Sequence, residues 1–225
     1  MFAKRDVIGT DDVLKQAGRE RFADFYDTWY RPELMSLVIV GDIDPPAIVR
    51  ELTEAFTSVR ARAPARPQPD LGRIHAFSGT QAFYHYEAEA PDTGVTIATL
   101  VPYTKEPDTG ANRVKQLPRM IAHAILNRRL SILAKKEGAP FKGGRTGAYE
   151  AYGFYRQSVI SLRCKAGQWT DALGVADQEL RRALEHGFQK PELQEVVANV
   201  RNSLEQAVKT ASTRRSDGIA DEIAE

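Results

Sequence analysis

The run Phe22-Ala23-Asp24-Phe25-Tyr26-Asp27-Thr28-Trp29-Tyr30-Arg31-Pro32-Glu33-Leu34-Met35-Ser36-Leu37-Val38-Ile39-Val40-Gly41-Asp42-Ile43-Asp44 sets the architecture of this chain. Phe22, Phe25, Tyr26, Trp29 and Tyr30 fall at i, i+3, i+4, i+7 and i+8, the period of one helix face. An aromatic stripe of this kind is expected to pack into a core. Pro32 stops the helix, because the residue before a proline is pushed out of the helical region, and residues 35–40 then read as a buried strand. Gly41-Asp42 turns the chain. Asp44 caps a following helix with Pro45 at its first position, where a missing N–H costs nothing, and Ile48, Leu52, Ala55 and Phe56 form its buried stripe.

Upstream of this run, Thr10 and Asp11 are candidate caps of a short helix broken at Gly18. Downstream, residues 60–72 carry Pro64, Pro67 and Pro69 and almost nothing to bury, the composition of a stiff, extended linker. Residues 74–86 and 95–101 read as strands of one sheet, the second with Val95, Ile97, Thr99 and Val101 alternating against Ala98 and Leu100. A long helix is expected over 118–137, with Ile121, Ala124, Ile125, Ile132 and Leu133 among its apolar positions, followed by a glycine-rich connection at Gly143, Gly144 and Gly147. Residues 157–165 alternate cleanly, with Ser158, Ile160, Leu162 and Cys164 on one side, as a half-buried strand does. Trp169, Leu173, Ala176, Leu180 and Leu184 set a helix that Gly187 terminates, and Pro191 opens another through Leu193, Val196, Val197, Val200, Leu204 and Val208. The class is therefore α+β: two layers, with a largely antiparallel sheet covered by helices on one face. Residues 219–225 stop inside a helical pattern without a cap, so a portion of a longer polypeptide is expected.

Composition narrows the function. The chain has 225 residues, 31 Lys and Arg against 30 Asp and Glu, four His and one Cys. A chain of this length buries roughly 70% of its unfolded surface and needs no disulfide or metal to fold. One Cys forms no internal bridge and excludes Cys-rich zinc sites. Interspersed charges summing to +1 argue against a nucleic-acid surface, which needs clustered Lys and Arg. The longest apolar run, residues 34–40, is far short of the ~20 residues that cross a bilayer, and the first six residues hold no apolar signal core.

No complete active site emerges from the residues themselves. A hydrolytic zinc site usually places two His one helical turn apart, and His75, His85, His123 and His186 offer no such pair. His75 and His85 would lie about 33 Å apart on one unbroken strand. Cys164 lies on a strand face with Ile160 and Leu162, where burial blunts a thiol. Gly143-Gly144-Arg145-Thr146-Gly147 lacks the Gly-Lys-Ser/Thr ending of a phosphate-binding P-loop and follows a helix rather than a strand, so it reads as a turn. Arg128-Arg129 and Lys135-Lys136 read as solvated helix positions, and His123 as a packed or surface residue.

A resemblance adds to this reading. Ile8-Gly9-Thr10, Phe22, Phe25-Tyr26, the segment from Trp29 to Met35, and Leu37-Val38-Ile39-Val40-Gly41-Asp42-Ile43-Asp44 together resemble a signature of the insulinase/pitrilysin zinc metallopeptidases, the inverzincins related to mitochondrial processing peptidase. Leu126-Asn127-Arg128-Arg129-Leu130, Lys136-Glu137-Gly138, the strand around Ile160, and the segment from Glu185 to Leu193 resemble later landmarks of the same family. The resemblance implies a LuxS/MPP-like metallopeptidase fold. It also implies a domain organisation: residues 1–59 as the end of a first, catalytic-type domain, 60–73 as the linker, and 74–225 as a second, noncatalytic domain truncated at its C-terminus.

It also implies what this chain lacks. The family's inverted zinc motif His-x-x-Glu-His would precede Met1, so the chain is expected to hold no zinc, which belongs to the full-length parent, and to have no peptidase activity alone. The family's substrate-holding Arg and Tyr, seven residues apart, correspond to Ala134 and Phe141 here, which supply neither charge nor hydroxyl. In the insulin-degrading branch the equivalent domain pairs with the substrate N-terminus at a segment resembling Phe141, Lys142, Gly143, Gly144 and Arg145, the candidate substrate-binding residues of this chain. Glycines let a peptide backbone approach closely, and strand addition gives affinity with little sequence preference. The implied partners are a peptide or unfolded polypeptide and the parent's remaining domains or a partner subunit. The implied compartment is periplasmic or extracellular if the missing N-terminus carries a signal peptide. An inactive scaffold subunit of the same family and a stand-alone peptide-binding module remain as alternatives.

Overall fold

The computed structural model describes residues 9–70, 72–75 and 77–224. Residues 1–8, which include Ile8 of the signature, together with Leu71, Ala76 and Glu225, lie outside them. The chain divides into two compact units, one made of residues up to Gly72 with those from Ala207 onward, the other Arg73–Gln206.

In the first unit, α1 (Asp11–Gln16) is capped by Thr10, whose hydroxyl accepts from the Val13 N–H, and α2 (Arg19–Trp29) follows after Gly18. A single 3-10 turn, Pro32–Leu34, follows the aromatic helix, and α3 (Pro45–Phe56) starts with prolines at its first turn. Two expectations fail here. Residues 35–40 form no strand, and Met35, Leu37 and Ile39 are exposed, because no described strand pairs with them and an isolated strand leaves its backbone groups to water. The aromatic stripe is also uncovered: Phe22, Phe25, Tyr26 and Tyr30 are all about half exposed or more, and Trp29 is half-buried. On α3, Ile48 and Leu52 are half-buried while Ala55 and Phe56 are exposed.

The proline-rich segment is tethered. Arg31, whose side chain is 9% exposed, donates from Nη1 to the Ala63 carbonyl and from Nη2 to Glu33 Oε1 at 2.9 Å. Arg66 forks onto Asp24, and the Arg62 guanidinium lies 5.4 Å from the centre of the Tyr26 ring. Prolines keep the segment extended, while three arginine contacts fix its course along α2.

In the second unit, β1 (Gly94–Pro102), α4 (Gly110–Ala134), β2 (Phe141–Ala151), β3 (Tyr155–Cys164), α5 (Trp169–His186) and α6 (Lys190–Lys209) follow in order. The last helix, α7 (Ser216–Ala224), belongs with the first unit. The three strands make one antiparallel sheet in the order β1-β3-β2. β3 sits in the middle because its alternation places Ile160, Leu162 and Cys164 on one face, each at most 3% exposed. Leu130 of α4, Phe141 of β2, and Ala172 and Ala176 of α5 close the core over them, with Val95 and Ile97 of β1 at its margin. Fully burying one such side chain contributes about 1.5–3 kcal/mol.

Three sequence expectations shift. The described residues of 74–86 form no strand, and Phe83, Tyr84 and Tyr86 are among the most exposed large side chains. The long helix begins eight residues before Pro118, since Thr109 caps it by accepting from the Asn112 N–H at 3.2 Å, and Pro118 sits inside it. Gly143, Gly144 and Gly147 lie within β2 rather than in a connection.

Arg129 corrects a fourth. It is 9% exposed, not solvated, and its guanidinium forks onto Glu192 at 2.6 and 2.8 Å, with the Phe188 ring 5.1 Å away. Its Nη2 also donates to the Gly187 carbonyl at 3.3 Å, and the Glu179 carboxylate stands 3.9 Å off. Gly187 adopts φ +67°, which lets the chain leave α5 and deliver Glu192 to Arg129. The Arg129 hydrogen bonds hold the Glu192 carboxyl at about 2 against an ordinary 4.5.

Two outcomes are expected. Arg31→Ala frees the Ala63 carbonyl contact, and trypsin should then cut after Arg60 and Arg62 about tenfold faster, as loss of one charged hydrogen bond in a locally opening segment implies. Because folding depresses the Glu192 pKa, the stabilisation from its ionised form is complete above pH 4.5 and is lost as pH falls toward 2. Glu192→Gln should therefore cost about 3 kcal/mol in urea unfolding at pH 7, and a little under half that at pH 3.

Candidate functional site

β2 is an edge strand, and its far side faces no other strand among the described residues. Antiparallel pairing alternates: Arg145, Gly147, Tyr149 and Ala151 direct their N–H and C=O toward β3, while Gly144, Thr146, Ala148 and Glu150 direct theirs outward. At Thr146 the outward groups are already taken. Its N–H donates to Asn127 Oδ1 at 2.7 Å, and its carbonyl accepts from Asn127 Nδ2 at 3.0 Å. One carboxamide from α4 thus stands where a neighbouring peptide group would.

The Thr146 side chain fixes α4 at the same place. Its hydroxyl donates to the Val159 carbonyl at 2.7 Å, so it accepts from His123 Nδ1 at 2.9 Å. That assigns the neutral His123 proton to Nδ1. Burial, and then the positive field of Arg119, lower the His123 pKa and favour this neutral form. His123 and Asn127 are one helical turn apart, a spacing that was visible in the sequence, but nothing local showed that Thr146 would meet them.

The candidate residues of 141–145 fall on the N-terminal end of this edge. Phe141 is 1% exposed and belongs to the core, so its side chain is unavailable to a ligand. Lys142 is exposed and ion-paired to Asp92 at 2.6 Å, and holds the Asp92 carboxyl below its ordinary range. The β2–β3 register slips between Phe141 and Gly143, which leaves Lys142 in a bulge. Arg145 is exposed on the sheet face away from the helices. The two glycines differ. A Cβ on Gly143 would meet nothing within 4 Å, whereas one on Gly144 would lie 2.1 Å from Leu162 Cδ2 and 3.2 Å from the Ser161 carbonyl. Gly144 is needed for core packing, and Gly143 leaves the strand open to approach.

No group of three or more His, Cys, Asp and Glu side chains among the described residues is placed to hold a metal ion, so these donors do not fit a catalytic zinc. Cys164 is buried and its thiol pKa is pushed up by burial, which favours packing over reactivity. No helix of the described residues is long and apolar enough to cross a membrane.

The family model described as "Peptidase M16 inactive domain" matches residues 16–200. The probable zinc protease PqqL of Haemophilus influenzae is 47% identical over 53 residues, 24% of this chain and 6% of that protein. The zinc protease PQQL-like protein of Arabidopsis thaliana is 23% identical over 221 residues, 98% of this chain and 20% of that protein. Among solved structures, the first half of the periplasmic protease PqqL from Escherichia coli superposes with a TM-score of 0.72 at 21% identity, over 98% of this chain and 47% of that one. This chain spans less than half the length of each of them.

The contrast between the glycines gives a measurable outcome. Gly144→Ala should lower stability by about 1–3 kcal/mol through overpacking, while Gly143→Ala should stay within about 0.5 kcal/mol of the parent chain, both read as urea midpoints.

Proposed function

Because the chain belongs to the peptidase M16 inactive-domain family, we propose that it is the noncatalytic, substrate-holding part of a zinc metallopeptidase whose other domains supply the zinc and the hydrolytic water. The relatives named as zinc proteases support the class of the parent. The absence of a His-x-x-Glu-His motif from this sequence supports the division of labour. In this reading, residues 1–59 close a catalytic-type domain, 60–73 connect, and 74–225 form the inactive domain. The parent would process or degrade peptides, and it would do so outside the cytoplasm, as the periplasmic Escherichia coli neighbour suggests. The uncovered aromatic face of α2 would be received by the parent's remaining domains, since the matched relatives are more than twice the length of this chain.

The observation that carries the substrate-holding role is the open end of β2. Among the described residues Asn127 closes the edge at Thr146, and the outward N–H and C=O of Gly144 would pair with an extended peptide. Main-chain pairing reads no side chains, which suits an enzyme that takes varied polypeptides. Phe141 contributes by anchoring the strand from the core side, and Gly143 by leaving the approach clear.

Hydrogen exchange tests this. Saturating unfolded polypeptide should slow exchange of the Gly144 amide and its neighbours at 142–145, while the Thr146 amide, already donating to Asn127, changes little. Unchanged exchange across 142–145 would remove the assignment of the edge. The isolated chain should also bind no stoichiometric zinc and cleave no peptide, and chelator-sensitive cleavage would reject the noncatalytic reading.

A further inference from the structure

The turn between β1 and α4, residues 103–107, together with α4 and β3, encloses an open pocket of about 560 Å³ at the other end of the sheet from Gly144. Four cationic side chains line it, Lys105, Lys115, Arg119 and Arg156, against the single carboxylate of Glu106. This concentration arises in a chain whose formal charge is only +1. The turn is held in place: the Tyr103 N–H donates to the Phe154 carbonyl at 2.9 Å, and the Glu106 N–H donates to the Tyr103 hydroxyl at 3.1 Å.

The charges around the pocket are unevenly satisfied. Lys115 is paired with Glu106 at 2.6 Å, and Arg113 nearby is paired with Asp108. Arg119 and Arg156 are both half-buried, and neither has a carboxylate within ion-pair distance among the described residues. Arg156 lies 5.4 Å from the centre of the Tyr103 ring, which fixes its direction but does not neutralise it. Arg119 also acts on His123 one turn beyond it, whose pKa is lowered first by burial and then by the Arg119 charge. Partly desolvated like charges facing one space repel each other, and an anion between them relieves this.

We propose that this pocket is a carboxylate-binding site for an acidic peptide segment, with the guanidiniums of Arg119 and Arg156 clamping the carboxylate. The planar forks of arginine match a carboxylate in bidentate geometry. The space is far larger than the roughly 30 Å³ share of one water and falls in the range of small-ligand sites, so it admits a side chain and its flanking backbone rather than a lone ion. Pro102, Pro107 and the Tyr103 ring give it apolar walls for that backbone. The site is independent of the β2 edge and holds whether or not Gly144 pairs with substrate.

The test uses the full 225-residue chain and three probes, followed by calorimetry and by backbone amide shifts at Tyr103 and Glu106. The probes are N-acetyl-triglutamyl amide, trialanine with a free C-terminus, and inorganic phosphate. Binding of the triglutamyl peptide would assign a side-chain carboxylate, and binding of trialanine a terminal one; either supports the site. Arg119→Gln and Arg156→Gln should each weaken that binding by about tenfold to a hundredfold, the loss expected for one charged, bidentate contact. Arg119→Lys, which keeps the charge but not the fork, should lose less. Far-UV circular dichroism and melting check each variant, and Arg119→Gln carries the test if loss of the Arg156–Tyr103 contact disturbs the turn. Equal binding by the variants, phosphate binding without carboxylate binding, or no binding of any probe would each overturn the proposal. The Gly144 amide reads the edge separately, so the two readings fail independently.

Discussion

The second unit is organised by the need of one strand to bury one face. β3 alternates Ile160, Leu162 and Cys164 against Val159, Ser161 and Arg163, and only the first set is apolar throughout. Placed in the middle of the sheet, β3 satisfies its backbone on both edges and presents that face to α4 and α5. Several other features follow from this placement. Gly144 must lack a side chain because Leu162 fills the space above it, and Phe141 is drawn into the core beside Cys164. β1 and β2 are left as edges.

Polar contacts then fix what apolar burial leaves free. A hydrophobic face permits a helix to slide or turn, but a bidentate ion pair does not. Arg129 meets Glu192, and Asn127 and His123 meet Thr146, so α4 is registered against the start of α6 on one side and against β2 on the other. A carboxamide that occupies part of an exposed strand edge, as Asn127 does at Thr146, also limits where another strand can join. Closure at Thr146 divides the outward-facing groups of the edge into those at Gly144 and those at Ala148 and Glu150.

Much of this was legible locally. The cap at Thr10, the prolines at the start of α3, the glycine after α5 and the alternation of β3 all act over a few residues, and each lies where its local chemistry places it. Other features were not. Residues 35–40 and 74–86 have strand composition, yet a strand exists only where a neighbour completes its hydrogen bonds, and composition does not supply the neighbour. Arg129 looked solvated because Arg usually is. A sign was present in its position on the apolar stripe of Ile125, Leu126, Leu130 and Leu133, where a charge demands a partner. That partner lies 63 residues away.

By itself the sequence determined the class of the fold, the order of most helices and strands, the likeness to the peptidase family, and the lack of a zinc motif, because periodicity, caps and motifs are read along the chain. Tertiary structure alone decided which strands are edges, which of two adjacent glycines is indispensable, which arginine is buried and paired, and where two others face a pocket with no carboxylate within ion-pair distance of them among the described residues. Those properties are relations between residues distant in sequence. They come into existence only when packing sets the distances, and the free energy of a charge or an open strand edge depends on what stands opposite it.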